Sequence, residues 1–282
     1  MNSKVFVSTG GIRNLNAFEA CLSLSKFGFN SFDLSGGKYF QNHLNNLINL
    51  EKQGFQIQIH NYFPVPKKHF VLNLASADEL IFNLSFEHCK KAIILASKLK
   101  LKRYSVHAGF CIDPSTKELG KPFNKKKLID DRNFFLERFI NRVKVLNNFA
   151  QSNDVDLYIE NNVSIKENIF NNKALLLGSD YEEIKTIKDS TNIKILIDTG
   201  HLIVSAKSLG LDEKVELSKL KLIADAYHLS SNNRLRDQNK PISNEKYLLK
   251  FLSKNVDFFT IEVYGKDNTL IEDYFFLKDF LF

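Results

Sequence analysis

The feature that most constrains the fold is an alternation of short β-branched and aromatic runs with longer amphipathic segments. Eight runs have the length and residue types of buried strands. They lie at Val5–Ser8, Phe32–Ser35, Ile57–Asn61, Tyr104–His107, Leu157–Asn161, Ile195–Asp198, Tyr227–Leu229 and Phe259–Val263. Strands that alternate with helices predict parallel βα units, and the alternation extends along the whole chain.

Helical spacing of apolar residues is found in the connections between these runs. Such segments lie at Asn16–Phe27, Phe86–Leu99, Asn133–Ser152, Tyr181–Lys188 and Asn244–Lys254. Eight units in 282 residues give about 35 residues per unit, close to the ~31 of a typical eightfold barrel. Because no Pro/Gly/Ser-rich linker divides the chain, we predict an α/β protein formed by a single (β/α)8 TIM barrel that spans residues 1–282.

Composition excludes several other classes of protein. No apolar run approaches the ~20 residues of a membrane helix, and the first residues lack a signal peptide, so we expect a soluble, cytoplasmic protein without a membrane partner. Cys21, Cys89 and Cys111 are widely spaced, which favours buried thiols over disulfides or a zinc–thiolate site. The net charge is +7, but only 7 of the 39 basic residues are Arg, so we do not expect a nucleic acid partner.

Metal-capable side chains stand at the ends of six consecutive predicted strands. In chain order they are His60, His107, Glu160, Asp198 with His201, His228 and Glu262. The C-terminal ends of all strands meet at one face of an eightfold barrel, so these side chains are expected to converge. Taken singly, such a His is more often a hydrogen-bonded core or rim residue than a metal ligand, and such a carboxylate usually caps the next helix. Together, three converging carboxylates would repel one another, and a divalent cation removes that conflict.

The set of donors narrows the choice of metal. Carboxylate and imidazole without thiolate suit Mn²⁺, Mg²⁺, Co²⁺ or Zn²⁺. Glu160, Asp198, His228 and Glu262 form the natural set of four ligands, which leaves coordination positions open for a substrate oxygen. The sequence therefore predicts one divalent metal in a catalytic site.

At these residues the chain resembles the xylose isomerase-like barrel superfamily, which contains sugar phosphate isomerases and epimerases. The most specific segments are Ile-Asp-Thr-Gly-His at 197–201, His-Leu-Ser-Ser-Asn-Asn-Arg at 228–234, Glu-Asn-Asn at 160–162 and Thr-Ile-Glu at 260–262. The resemblance implies that the four ligands named above hold the family's metal, and that Glu160 and Glu262 are the catalytic acid and base. It further implies that His201 and Arg234 contact substrate oxygens.

The function implied by this resemblance is a metal-dependent isomerase or epimerase of carbohydrate metabolism. It would act on a small sugar or sugar phosphate and move a proton next to a metal-polarised carbonyl. His60 and His107 either bind this substrate or hold a second metal with Glu160, and both alternatives stay open. An oligomeric state is also left open by the sequence.

A sister branch of the superfamily, endonuclease IV, provides the alternative function of a metal-dependent AP endonuclease or phosphodiesterase. The resemblance implies that two of its three zinc sites map onto strand-end residues named above, and that its third maps onto His201 and Asp237. Asn239 stands where that third site has a His, and an amide is a poor zinc ligand. Residues 35–40 also lack a basic, aromatic loop for DNA. A barrel that only binds sugar is disfavoured, because binding alone gives no reason to gather three carboxylates.

Overall fold

The computed structural model describes residues 4–125, 128, 131–264 and 267–281, within which eight parallel strands close into a barrel. These strands are β1 (Val5–Ser8), β2 (Ser31–Leu34), β3 (Gln56–His60), β4 (Arg103–His107), β5 (Asp156–Glu160), β6 (Lys194–Asp198), β7 (Ala226–Leu229) and β8 (Phe258–Ile261). Each strand pairs with its neighbour along the chain, and β8 pairs with β1. The predicted single (β/α)8 barrel is confirmed, and the strands lie close to their predicted bounds.

Helices surround the barrel and connect its strands. They are α1 (Ala17–Ser25), α2 (His43–Lys52), α3 (Glu79–Lys98), α4 (Arg132–Gln151), α5 (Tyr181–Thr191), α6 (Thr199–Leu209), α7 (Glu213–Leu220) and α8 (Asp267–Leu281). Most begin at an Asn or Asp whose side chain accepts from amides of the first turn, as Asn16 does for α1 and Asp78 for α3. Of the described helices, none has the length and apolarity to cross a membrane.

One predicted helix is wrong in type. The segment Asn244–Lys254 was expected to be α-helical, but residues Ile242–Phe251 form 3₁₀ turns with a kink at Glu245, where φ is −131° and ψ is 47°. The physical reason is that side-chain contacts with other elements fix the backbone of this segment. The Glu245 carboxylate pairs with Arg234 from the preceding loop, and Asp273 of α8 accepts from the amides of Ile242 and Ser243.

The barrel interior is filled in layers by side chains that point inward at every second strand position. The layer at the N-terminal end is apolar and consists of Phe6, Tyr158, Leu196, Ala226 and Phe258. The next layer is polar, because Asp33 of β2 accepts hydrogen bonds from Gln58 of β3 and Thr260 of β8. The strand-end residues lie beyond this polar layer, at the C-terminal face.

The three cysteines and the C-terminal helix complete the core. Cys21, Cys89 and Cys111 are buried and free, as their spacing predicted. Burial raises the pKa of the Cys89 thiol to about 12, so it stays protonated and inert at neutral pH. On α8, Tyr274 and Leu277 are buried in the main hydrophobic core, so this Phe-rich segment packs on its own barrel.

Candidate functional site

The strand register places the predicted site residues at the same level, at the C-terminal end of the barrel. His107 of β4 pairs with Glu160 of β5, and Asp198 of β6 pairs with His228 of β7. Each pair therefore presents two metal-capable side chains from neighbouring strands at the same end of the barrel. Glu262 directly follows β8, and its amide donates to the carbonyl of Leu229 in β7. The convergence expected from the sequence is what the structure shows.

The centre of the site is the carboxylate of Glu160, which is completely buried. Its Oε2 lies 3.2 Å from Nε2 of His60 and 3.5 Å from Nδ1 of His107. Its Oε1 lies 3.3 Å from Nδ1 of His228 and 3.6 Å from Nδ1 of His201. Four imidazoles thus surround one carboxylate. Neither oxygen of that carboxylate has a hydrogen bond of acceptable geometry within the part of the chain that the structure describes.

The four predicted ligands form one group. Glu160, Asp198, His228 and Glu262 each offer an atom, and these atoms all lie within 4.8 Å of one another. Like the two oxygens of Glu160, Asp198 Oδ2 is buried and has no hydrogen-bond donor among the described residues. Buried carboxylate oxygens without donors are rare, because burial of an unpaired charge is costly. The four side chains, with carboxylate oxygens that lack hydrogen-bond donors, therefore fit a divalent cation.

Two further groups of three residues overlap with this one. His60, His107 and Glu160 offer atoms within the same 4.8 Å limit, and so do Asp33, His60 and His228. The first trio corresponds to the alternative in which the two strand-end histidines hold a second metal. The second trio includes Asp33, which the sequence did not single out.

Burial and neighbouring charges shift the pKa values of the site residues in different directions. Burial raises the pKa of Asp198 to about 7; His201 opposes this rise, whereas the nearby carboxylates of Glu160 and Glu262 add to it. Burial would lower the pKa of His228, but the carboxylates of Glu160, Asp33 and Glu262 raise it well above its usual value. Both shifts arise from carboxylates that converge in a buried place, and a bound divalent cation would compensate the same negative charges.

Neighbouring motif residues fix the ligands in place. Asn161 holds β5 to β6, because its side chain donates to the Asp198 carbonyl at 3.1 Å and accepts from the Asp198 amide at 2.6 Å. Asp198 also caps α6, with Oδ1 accepting from the His201 amide at 2.7 Å. Gly200 allows the two segments to approach closely, since a Cβ at this position would lie 2.2 Å from Ser230 Oγ. The segments 197–201 and 228–234 are thus packed against each other.

The predicted substrate contacts fall into two sets. His60 and His201 are oriented by hydrogen bonds of their Nδ1 atoms, at 2.8 Å to Ser105 Oγ and at 2.9 Å to the Asn161 carbonyl. The Arg234 side chain instead forms ion pairs with Glu213 and Glu245. To bind a substrate oxygen, its guanidinium would have to give up one of these pairs, so the geometry does not favour the substrate role that the resemblance implied.

Sequence reasoning missed two residues that touch the site. Asp33 is buried in β2, and its Oδ2 lies 3.0 Å from His228 Nε2. A carboxylate in the middle of a four-residue buried strand was the available signal. Tyr264 donates to Glu262 Oε1 at 2.5 Å. The pair Gly10-Gly11 makes room for its ring, because a Cβ at Gly10 would lie 2.4 Å from the Tyr264 hydroxyl oxygen.

Comparison with known proteins agrees with the barrel fold. The family described as the xylose isomerase-like TIM barrel matches residues 24–268 of the chain. The chain belongs to this family. No curated protein sequence matches it.

Solved structures of this xylose isomerase-like type share the fold across almost their full length. A D-tagatose 3-epimerase-like protein is 18% identical, with a TM-score of 0.70 over 99% of this chain and 97% of that one. D-psicose 3-epimerase from Clostridium cellulolyticum H10, with D-tagatose, is 14% identical, with a TM-score of 0.61 over 99% and 98%. The 3-keto-D-glucoside 4-epimerase from E. coli is 12% identical, with a TM-score of 0.64 over 99% of both chains. Among these solved structures the fold is therefore represented by sugar epimerases.

Proposed function

We propose that this protein is a divalent-metal-dependent isomerase or epimerase of a sugar or sugar phosphate, with residues 1–282 as one catalytic domain. The observation that carries the proposal is a pair of buried carboxylates that share one imidazole nitrogen. His228 Nδ1 lies 2.9 Å from Glu262 Oε2 and 3.3 Å from Glu160 Oε1. The sugar epimerases among the structural neighbours support the substrate class.

In this proposal, Glu160, Asp198, His228 and Glu262 hold the metal. When bound, the cation would polarise the carbonyl and hydroxyl oxygens of the sugar and acidify the proton on the carbon beside the carbonyl. Glu160 and Glu262 are the acid and base: one carboxylate removes this proton and the other supplies one. Both side chains are held by rigid strand ends, so they need little reorganisation during the reaction.

His60, His107 and His201 complete the proposed site as donors to substrate oxygens. Burial, opposed by the Glu160 carboxylate, lowers the pKa of His107 to about 4, so this imidazole is neutral at physiological pH. A neutral imidazole both donates and accepts one hydrogen bond, which suits a sugar hydroxyl. His60 and His201 have Nδ1 fixed by Ser105 and by the Asn161 carbonyl, and their Nε2 atoms, which face Glu160 and Asp237, would turn to the substrate in this proposal.

The test is proton exchange on candidate sugars in deuterated water. Protein loaded in turn with Mn²⁺, Co²⁺ and Mg²⁺ is incubated with ketopentoses, ketohexoses and their phosphates, and NMR records deuterium incorporation beside the carbonyl. Loss of a catalytic acid or base costs about 10²–10⁴ in rate, so Glu160→Gln and Glu262→Gln should each lower exchange at least about 100-fold. The matched control is Glu216→Gln, because this buried carboxylate accepts from the Tyr181 amide and lies on α7. Near-wild-type exchange in either site variant would reject the mechanism.

Hydrolysis at abasic DNA is the second candidate function. It is favoured by the trio of His60, His107 and Glu160, which offers a second group of metal ligands, and by the 3.5 Å contact between His201 and Asp237. Incubation of the zinc-loaded and manganese-loaded protein with an abasic duplex tests it. We expect no nicking, and strand cleavage that depends on these histidines would replace the epimerase proposal.

A further inference from the structure

The buried carboxylate of Asp33 lies outside the proposed set of ligands, and its hydrogen bonds define its role. It is completely buried in β2, in the polar layer beneath the metal ligands. Its Oδ2 accepts from Gln58 Nε2 at 2.9 Å and from Thr260 Oγ1 at 2.9 Å. The same oxygen lies 3.0 Å from His228 Nε2. Two strands other than its own therefore hold this oxygen against the imidazole.

The imidazole of His228 is contacted at both nitrogens by carboxylates. Nε2 faces Asp33 on the side of the barrel interior, whereas Nδ1 faces Glu160 and Glu262 on the side of the site. A histidine that binds a metal carries its proton on the other ring nitrogen and donates it to a fixed acceptor, commonly a carboxylate. Asp33 is such an acceptor, and with its proton on Nε2 the imidazole would present the lone pair of Nδ1 to a cation held among the proposed ligand carboxylates.

We infer that Asp33 is a positioning residue for the metal centre: it accepts the Nε2 proton of His228 and so orients Nδ1 as the ligand. This inference rests on the proposed function only in taking His228 as a metal ligand. It assigns Asp33 Oδ2 to His228 and not to the metal, because donors from Gln58, Thr260 and His228 already converge on that oxygen. The layer beneath the ligands is then part of the metal site.

The test measures metal binding and requires no substrate. Mn²⁺ and Co²⁺ affinities are determined by competition with a chelator for the wild type and for Asp33→Asn, which keeps the shape and removes the charge. Loss of such an outer carboxylate typically costs 10–100-fold in affinity, and we expect a loss of about this size with unchanged stoichiometry. The visible spectrum of bound Co²⁺ should also change, because the orientation and basicity of its histidine ligand change.

The matched control is Asp273→Asn. Asp273 is as buried as Asp33, but it accepts from the amides of Ile242 and Ser243 outside the site. This variant should lose stability and keep its metal affinity and Co²⁺ spectrum. If Asp33→Asn does not fold, Thr260→Val removes one of the bonds that hold Oδ2 and should lower the affinity by a smaller factor.

Two outcomes would overturn the inference. Metal affinity and Co²⁺ spectrum equal to wild type in Asp33→Asn, or in Thr260→Val if only that variant folds, would mean that Asp33 does not act through His228. Loss of a whole metal equivalent in Asp33→Asn would instead make Asp33 a ligand, within the trio that it forms with His60 and His228. If Asp33→Asn lowers metal affinity as expected but the wild-type protein exchanges no sugar proton, this inference stands and the epimerase proposal is rejected.

Discussion

The residue that most directly controls Glu262 is Tyr264. One oxygen of the Glu262 carboxylate faces His228, and the other accepts from the Tyr264 hydroxyl at 2.5 Å. Burial, together with the Glu262 charge, raises the pKa of Tyr264 well above its usual value, so the hydroxyl remains a donor. The carboxylate proposed as an acid or base is therefore fixed at both of its oxygens.

We predict that Tyr264→Phe lowers the rate of the metal-loaded enzyme. A hydrogen bond to a charged group contributes about 1.5–3 kcal/mol, which corresponds to a fall in kcat of roughly 10–100-fold if the bond serves the transition state. Steady-state kinetics on the sugar found by the exchange assay measures this. Tyr227→Phe is the control, because its buried hydroxyl accepts from the Ser253 amide away from the ligands. Equal kcat in wild type and Tyr264→Phe would show that Tyr264 is only structural.

The sequence predicted the site residues that stand at strand ends, but not those whose position depends on contacts between elements. His60, His107 and Glu160 end their strands and His228 stands one residue before the end of β7, and a barrel places all strand ends together, so their convergence followed from the pattern. Asp33 was missed because its position depends on the register of β2 with β3. The pairing of Arg234 with carboxylates of two other elements also depends on tertiary structure.

At the scale of elements, α3 supports the loop after β3 through a buried histidine. His88 stacks on Tyr62, with ring centroids 5.3 Å apart, and its Nε2 has no hydrogen-bond partner among the residues described. Burial lowers the pKa of His88 to about 4, against opposition from a hydrogen bond to the Asn61 backbone. The folded protein therefore keeps this imidazole neutral.

This burial predicts a loss of stability in mild acid. Between pH 6.5 and about 4 the unfolded chain binds a proton at His88 that the folded chain does not, so the free energy of unfolding falls as the pH falls. The loss from His88 should reach roughly 3 kcal/mol at most, since one pKa unit corresponds to about 1.4 kcal/mol. Urea unfolding from pH 7.5 to 5 tests this, with His88→Phe expected to show a shallower pH dependence. Parallel curves for the two proteins would contradict it.

Elements differ in how readily a sequence reveals them. All eight barrel strands were predicted, because strands buried on both faces form short apolar runs. Helices α2, α6, α7 and α8 were not among the predicted segments; α6 has no polar face to give a helical pattern, because nearly all of its residues are buried. The 3₁₀ segment was mistaken for an α-helix because its apolar spacing is helical, whereas its backbone follows the contacts of Glu245 and Asp273.

At the scale of the whole molecule, barrel closure is what makes a metal site out of distant residues. Glu160 and Glu262 are far apart in the sequence and share His228 because β5, β7 and β8 belong to one closed sheet. A cation held by these strands would bind only the folded chain. It should therefore raise stability by about 2.7 kcal/mol at a concentration 100 times its Kd.

The most direct test of the central claim is the metal content of protein purified without chelator and without added metal salts, read together with thermal unfolding. The account predicts about one Mn²⁺, Co²⁺ or Mg²⁺ per chain, lost in Asp198→Asn, and a Tm that falls after treatment with chelator and recovers when the metal returns. Two or three Zn²⁺ per chain would favour the phosphodiesterase instead. A chain that binds no divalent metal and has the same Tm with and without chelator would contradict the account.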